Sequence, residues 1–351
     1  MVACFFSQIV MRHLTASNSN SETLPRHELR HPSVTRLSPG YGRRLLSLVS
    51  LLLLVASPSM LSQQTTSGAG TTTSSPADDK SEGPHSADEL RKAIQNPVAN
   101  LISVPFQNNT AFDIGPFSRT QDVLEIEPVI PVHITKKWML INRIIQPLVW
   151  QPYPSQPTGG EYGFGDMNPE LFISPTKPGK IIWGIGPALV IPTATNTILG
   201  QGKLSLGPGF VALTQPHHWT LGFLTNNVWS VAGDGSRPDV NQFLLQYFIN
   251  YNMKKGWYID IAPIITANWQ ASSGNVWTVP FGGGLGRLMK IGFQPMSMTA
   301  QFYGNAVHPS GASPWGMRIQ IALLFPKLTP KEKMLLMEQK LKEMEKEQHS
   351  K

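Results

Sequence analysis

The feature that most constrains the fold is an alternation of apolar and polar residues that continues over unusually long segments. In Trp257–Trp269 the odd positions are apolar, whereas the even positions include Tyr258, Asp260 and Asn268. Successive side chains of a β-strand point to opposite faces, so this segment has one apolar face. Twelve steps of about 3.3 Å cover roughly 40 Å, or near 30 Å after a tilt of about 45°, which is the thickness of the hydrocarbon core of a bilayer.

Twelve segments with this alternation occur between the middle of the chain and Phe325. They lie near residues 99–107, 120–132, 138–150, 166–174, 181–191, 204–214, 219–229, 240–251, 257–269, 276–286, 294–305 and 315–325. Most have the length that a tilted strand needs to cross a bilayer, whereas ordinary globular strands are nearer five or six residues. We therefore predict an all-β fold, an antiparallel up-and-down transmembrane β-barrel of about twelve strands, within residues 96–327.

The connections between these segments alternate between long and short, and the alternation fails only around the ninth and tenth. The short ones are rich in Lys, Pro and Gly, as at 177–180 and 253–256, and the long ones include the pairs at 108–109 and 159–160. Transmembrane barrels have short periplasmic turns on one rim and longer external loops on the other. An even number of strands then leaves both chain ends in the periplasm.

Eight tryptophans lie at or near the ends of the predicted strands. They are Trp138, Trp150, Trp219, Trp229, Trp257, Trp269, Trp277 and Trp315. Membrane barrels place aromatic girdles at both interfaces with water. A soluble, exported β-sandwich is the alternative, but it has no need for tryptophans a membrane thickness apart on one strand face.

The N-terminal part of the chain has the pattern of an export signal. Arg43 and Arg44 precede the apolar stretch Leu45–Ala56, which is too short to span a bilayer as a helix and is followed by small residues. We predict that residues 1–62 are a signal peptide with an N-terminal extension, and that the true start lies at Met11 or later.

Two further segments flank the predicted barrel. Residues 63–95 are Thr-, Ser- and Gly-rich at first, which predicts a disordered linker that ends in a short helix from Ser86 to Ile94. Residues 328–351 combine Met and Leu at near-helical spacing with Lys and Glu, which predicts an amphipathic α-helical tail. The tail is either simply solvated or touches the barrel rim, a periplasmic partner or another copy.

The charge and cysteine content exclude some classes of protein. The chain has 29 Lys and Arg against 22 Asp and Glu, but most of the excess lies before residue 63 and in the tail. The predicted barrel is near neutral, which argues against nucleic acid as a partner. The only cysteine, Cys4, lies in the part predicted to be removed, so no disulfide is expected.

The sequence contains no recognisable catalytic, phosphate-binding or cofactor-binding motif, so we predict no enzyme activity, no catalytic residue and no cofactor. His217 and His218 are adjacent, and side chains of adjacent residues at a strand end point apart, so no metal site is predicted. An outer-membrane lipase is a less favoured alternative, because no strand offers a Ser and a His together on its apolar face.

The candidate functional residues are polar side chains on the faces that the alternation directs into the barrel. They are Glu125, Glu127, Gln242, Gln246, Asn250, Asp260, Asn268, Arg318 and Gln320. Charges inside a barrel either line a pathway or pair with each other across the lumen. The direction of Arg143 stays open, because Asn142 and Gln146 have the opposite parity and a bulge can shift the phase.

Five stretches of the predicted barrel carry a family likeness: Ile102–Asn109, Gly165–Pro169, Lys177–Gly184, Asp239–Phe243 and Val279–Gly284. In them the chain resembles bacterial outer-membrane "transporter" proteins, often misnamed neuromedin U, which are related to the family named for the meta-pathway of phenol degradation. The resemblance implies an outer-membrane channel for small organic compounds and supplies no catalytic motif. The long N-terminus and the helical tail depart from the compact outline of that family.

We therefore hypothesise a channel or transporter for small, hydrophobic or aromatic solutes in the bacterial outer membrane, with lipid and a small-molecule solute as its partners. The alternative hypothesis is a structural or adhesive barrel that binds partners through its loops and its tail.

Overall fold

The computed structural model of the chain describes residues 87–292, residues 294–326 and Met334. The predicted signal peptide, the linker up to residue 86 and the helical tail apart from Met334 lie outside the described residues. Within them, no helix has the length and apolar character needed to cross a membrane.

One helix and fifteen strand segments make up the described residues. In chain order they are α1 (Ala87–Ile94), β1 (Ile102–Ile114), β2 (Arg119–Ile126), β3 (Val129–His133), β4 (Trp138–Pro152), β5 (Gly160–Phe164), β6 (Asn168–Pro175), β7 (Ile182–Val190), β8 (Lys203–Thr214), β9 (Trp219–Gly233), β10 (Asn241–Asn252), β11 (Trp257–Ile261), β12 (Ile264–Asn268), β13 (Trp277–Ile291), β14 (Gln294–Val307) and β15 (Trp315–Phe325). A single 3-10 turn, Lys254–Gly256, precedes β11. The predicted short helix before the barrel is thus present as α1.

The fifteen segments form one closed sheet of twelve antiparallel strands, as the sequence predicts. Three strands of the barrel wall are each divided into two consecutive segments: β2 with β3, β5 with β6, and β11 with β12. The barrel closes because β1 pairs with β15 from Ile102 opposite Phe325 to Phe112 opposite Trp315.

The divisions in these strands have local causes. Pro128 and Pro263 lie in two of the gaps, and proline has no N–H to donate to the ladder. Across the Pro128 gap the register with β1 is unchanged, so the strand continues in place. Between β5 and β6 the register with β4 shifts by one residue, from Leu148 opposite Phe164 to Ile145 opposite Asn168, which is a β-bulge.

Four strands are longer than predicted. The first strand extends to Ile114 instead of ending near residue 107, and the fourth begins at Gly160 instead of near 166. The seventh strand ends at Gly233 instead of near 229, and the tenth ends at Ile291 instead of near 286. The asparagine pair at 108–109, expected in a long loop, is therefore inside β1. These residues keep the strand conformation because the ladder continues on both sides of β1, with β15 and β2.

The connections define two rims. The short-turn rim holds residues 134–137, 176–181, 215–218, 253–256 and 292, and the long-loop rim holds residues 115–118, 153–159, 191–202, 234–240, 269–276 and 308–314. The ninth and tenth connections follow the long and short alternation that the sequence left uncertain. The first, 115–118, is shorter than expected because β1 is longer.

The outer face of the barrel is apolar. Large side chains such as Ile185, Ile249, Leu285 and Phe302 are exposed there, while their strand neighbours on the inner face are buried. The predicted interface tryptophans are half-buried or exposed near the strand ends on both rims. This distribution is the inverse of a soluble barrel and matches a wall that faces lipid.

The inner wall is packed so closely that one added methyl group is expected to destabilise it. A Cβ atom at Gly286 would overlap the ring of Tyr258, whose hydroxyl is held by Ser297 at 2.7 Å and Thr299 at 2.9 Å. We predict that Gly286→Ala lowers the free energy of unfolding, measured with urea in detergent, by about 1–3 kcal/mol.

Gly179→Ala is the matched control, because a Cβ atom at this turn residue would meet nothing within 4 Å. It is expected to change the free energy of unfolding by less than about 1 kcal/mol. Equal effects of the two substitutions would contradict the inward packing of Tyr258.

The barrel lumen as the candidate functional site

All nine predicted lumen residues lie on the inner face of the barrel. Residues that are opposite each other in the ladder share a face, which joins Gln242 with Asn268 and Asn250 with Asp260. The same argument joins Glu125 and Gln320 through Gln107, the ladder partner of both. Glu127, Gln246 and Arg318 have the parity of these neighbours and are buried or half-buried. Whether any of the nine lines a solute pathway stays a prediction.

Arg143, Glu127 and Glu170 form a buried ion cluster on the inner face of the barrel. Arg143 points inward, which resolves its direction, and its Nη2 and Nη1 atoms lie 2.8 Å from Glu127 Oε2 and 2.6 Å from Glu170 Oε2. Asn226 Nδ2 donates to Glu170 Oε1 at 2.9 Å. One guanidinium thus bridges two carboxylates, and this fork geometry is the one that Arg favours.

A second group centres on Arg318. Its Nε donates to Asn109 Oδ1 at 2.9 Å, and its Nη1 donates to the Ala262 carbonyl at 3.1 Å. That carbonyl is available because Pro263 interrupts the strand at this height. The guanidinium also lies over the ring of Tyr303, 5.2 Å from its centroid, which adds a cation–π contact.

Glu125 connects to the Arg318 group through amides. Its Oε2 accepts hydrogen bonds from Gln107 Nε2 and Asn109 Nδ2, both at 2.8 Å. Asn109, on β1, therefore links Glu125 on β2 to Arg318 on β15 by hydrogen bonds. On β10 and β11, Asn250 is oriented so that its amide donates to Asp260 Oδ1 at 2.7 Å.

Glu170, Asn226, Asn109 and Gln301 are lumen residues that the sequence argument did not select. The sequence argument could have selected Glu170, because the alternation puts Asn168, Glu170 and Ser174 on one face of β6. All three are buried in the structure. Asn109 was hidden by its assignment to a loop.

The short-turn end of the lumen is occupied by α1 and the segment that follows it. Val98 is fully buried among apolar side chains of the inner wall, which include Phe172, Leu224 and Phe248. On the other side of the lumen, Leu101 packs in a cluster with inner-wall residues of β13 and β15.

Hydrogen bonds fix this segment to the short-turn rim. Gln95 Oε1 accepts from Thr220 Oγ1 at 2.8 Å, and Gln95 Nε2 donates to Asn252 Oδ1 at 3.0 Å. Arg91 donates to the backbone carbonyls of Met253 and Trp257, and its burial lowers the pKa of the guanidinium. The segment is held by side chains and not by the strand ladder.

The long-loop end is narrowed by residues 191–202, which fold into the barrel. Leu199 is fully buried against Val123 and Val149 of the inner wall. Asp166 anchors the loop, since its carboxylate accepts from the Gln201 N–H at 2.6 Å and the Ala194 N–H at 3.1 Å.

Between the two ends lies a cavity of about 150 Å³. Its wall includes Gln107, Glu127, Arg143, Phe248, Asp260 and Gln320. Five of the nine predicted lumen residues thus line this cavity together with the segment at 95–101, and the other four, Glu125, Gln242, Asn268 and Arg318, do not.

Groups that could do other chemistry are few in the described part of the chain. No set of three or more His, Cys, Asp or Glu side chains that could hold a metal ion occurs among residues 87–292 and 294–326. His217 and His218 are exposed in the turn between β8 and β9.

The fold and the site define a class of protein: a closed twelve-stranded barrel with an apolar outer face and a polar lumen is the channel-like fold of outer-membrane proteins. No family model and no curated protein sequence matches the chain. A solved structure with the same fold is the COG4313 outer membrane channel from Pseudomonas putida F1, with 14% identity and a TM-score of 0.52 over 66% of this chain and 97% of that one.

Two other solved barrels are similar at lower scores. The CymD monoaromatic hydrocarbon channel has 9% identity and a TM-score of 0.38, over 70% of this chain and 94% of that one. The outer membrane phospholipase A from Escherichia coli has 11% identity and a TM-score of 0.35, over 65% of this chain and 97% of that one. These scores are too low to support a functional argument.

The ion cluster gives a test of the lumen geometry. We predict that Arg143→Met lowers the free energy of unfolding in detergent by about 3–5 kcal/mol, because Glu127 and Glu170 lose their shared cation inside the barrel. Lys203→Met is the control, since Lys203 pairs at 3.3 Å with Asp239, whose side chain is 76% exposed. Its cost is expected to stay below about 1 kcal/mol, and a similar cost for both would contradict the buried cluster.

Proposed function

We propose that this chain is an outer-membrane channel for small solutes that are hydrophobic or aromatic. The observation that carries the proposal is the mixed lining of the lumen. The half of the inner wall next to the short-turn rim carries a cluster of apolar side chains, and paired polar side chains line the wall beside it.

The apolar cluster lies on β4, β6, β8, β9 and β10, and these strands also carry inner-face polar residues such as Arg143, Glu170 and Asn226. The cluster comprises the buried residues Met139, Ile141, Phe172, Val211, Leu213, Leu224, Leu244 and Phe248. Apolar surface of this extent inside a membrane barrel disfavours a water-filled pore of the porin kind, whose lumen is polar. It favours a solute that gains free energy by leaving water.

Polar inner-face residues lie on β14, β15, β1 and β2, and Arg143 with Glu170 adds polar groups on β4 and β6. Their charges are paired with each other or with amides, as in the contacts of Glu125 with Gln107 and of Arg318 with Asn109. In this proposal the paired charges bind passing ions weakly and orient the polar end of a solute whose remainder lies against the apolar cluster.

Both ends of the lumen are narrowed by parts of the chain outside the strand ladder. The segment at 95–101 is held by side-chain contacts, so it can move without breaking a ladder hydrogen bond. The loop at 191–202 also has backbone hydrogen bonds to the wall, from the Thr195 N–H to the Phe164 carbonyl at 3.0 Å and between Ile191 and Met167. In this proposal a solute enters past the loop, crosses the cavity and leaves when the segment withdraws.

Two resemblances support the same function. The Pseudomonas putida protein that shares the fold is an outer membrane channel. The sequence likeness to proteins related to the meta-pathway of phenol degradation favours small organic compounds as the solutes.

Uptake of a labelled monoaromatic alcohol by Gram-negative cells that carry this chain as their only such channel tests the proposal. We expect uptake to exceed that of cells without the chain, and no comparable gain for a sugar of similar size. Phe248→Ser at the cavity wall is expected to reduce uptake by about three- to tenfold, since the lost contact is worth on the order of 1 kcal/mol.

Ile249→Ser is the matched control, because the next residue of β10 has the opposite parity and is exposed on the outer face. It is expected to leave uptake unchanged. Cross-linking Gln95→Cys to Thr220→Cys is expected to block uptake by fixing the segment in the lumen. Uptake that responds equally to Phe248→Ser and Ile249→Ser, or not at all to the chain, would refute the channel.

A further inference from the structure

The short-turn rim carries a ring of exposed lysines. They are Lys136, Lys137, Lys177, Lys180, Lys254, Lys255 and Lys290. None of them forms an ion pair with another described residue. The turns that hold six of them, 134–137, 176–181 and 253–256, contain no Asp or Glu.

The long-loop rim has a different balance of charge. It carries acidic residues in or beside its loops, including Asp113, Glu161, Asp234 and Asp239. Its basic residues Lys203 and Arg237 contact the protein itself: Lys203 pairs with Asp239, and Arg237 donates to the backbone carbonyl of Gln201. Uncompensated positive charge is therefore concentrated on one rim.

The lysines lie at a defined depth relative to the apolar belt. Lys137 directly precedes Trp138, and Lys255 is two residues before Trp257, so they lie within roughly 7 Å of chain from these tryptophans. Both rings are exposed on the outer face, at the position where barrels have their interfacial girdle. The ammonium groups consequently reach the level of the lipid phosphates.

The lysines surround the barrel instead of forming one patch. The turns that carry them join β3 to β4, β6 to β7 and β10 to β11, and Lys290 ends β13. A globular partner would contact one sector of the rim, whereas lipid headgroups contact all of it. The circular distribution favours lipid.

We propose that this ring binds the phosphate groups of anionic phospholipids in the leaflet next to the short-turn rim. This inference rests on the proposed function, because it requires the barrel to span a membrane. Each lysine near an anionic surface adds to the attraction, and the attraction weakens with salt. The ring then fixes the height of the barrel and gathers anionic lipid around it.

The test compares two variants of the full-length mature protein. In one, six lysines (136, 137, 177, 180, 254 and 255) become Gln, and in the other the same six become Arg, which keeps the charge. Both are floated with vesicles of phosphatidylcholine alone and of phosphatidylcholine with about one third phosphatidylglycerol. The phosphatidylglycerol that stays with the protein after detergent extraction is measured by native mass spectrometry.

We expect the unsubstituted protein and the Arg variant to retain phosphatidylglycerol in excess over the bulk fraction. The Gln variant is expected to retain at most about one fifth of that excess. High salt is expected to reduce the excess that the unsubstituted protein retains. The variants should fold alike, because no hydrogen bond to another described residue is made by any of these six ammonium groups.

Equal enrichment by the Gln variant would overturn the proposal. If the Gln variant instead loses binding to purified peptidoglycan while its lipid enrichment is unchanged, the ring serves the cell wall and the lipid proposal is wrong. Failure of the unsubstituted protein to float with either vesicle would overturn the membrane channel as well, whereas insertion without lipid preference overturns only the lipid site.

Discussion

Backbone hydrogen bonding inside a bilayer is the constraint on which the rest of this structure depends. Water is absent there, so each N–H and C=O group of the wall needs a partner within the protein, and a sheet can satisfy them only by closing. The pairing of β1 with β15, from Ile102 opposite Phe325 to Phe112 opposite Trp315, achieves the closure. Since the outer face must then be apolar, most polar side chains of the strands are directed inward or to a rim. Asn142 and Gln146 on β4 point outward, and their amides donate to backbone carbonyls of the wall.

Closure creates a second requirement, because a barrel of twelve strands encloses more space than its inner side chains fill. The chain meets it in two ways: charges pair across neighbouring strands, as Arg143 does with Glu127 and Glu170, and chain segments enter from both ends. The segment at 95–101 is held by side-chain contacts, whereas residues 191–202 are also held by backbone hydrogen bonds to the wall. A closed lumen that combines an apolar cluster with paired charges follows from these conditions, and this combination suits a channel for small apolar solutes.

Much of the barrel could be predicted from the sequence, because a period of two residues specifies both the strand and the face of each side chain. This period placed Glu125 and Arg318 on the inner face of the barrel without identifying their partners. The period could not identify the partner Asn109, because this residue was assigned to a loop, since Asn pairs usually mark turns. The ladder on both sides of β1 keeps Asn109 in a strand. The inward fold of residues 191–202 has no local signal, because it depends on Leu199 meeting Val123 and Val149, which are distant in sequence.

The central claim is that the folded chain spans the outer membrane as a closed barrel. Fractionation of Gram-negative cells that express it, followed by electrophoresis of boiled and unboiled samples, tests this claim most directly. The account predicts that the mature chain is found in the outer-membrane fraction, leaves it only with detergent, and migrates differently without boiling because the closed ladder resists unfolding. A chain released in the soluble periplasmic fraction, with the same migration before and after boiling, would contradict it.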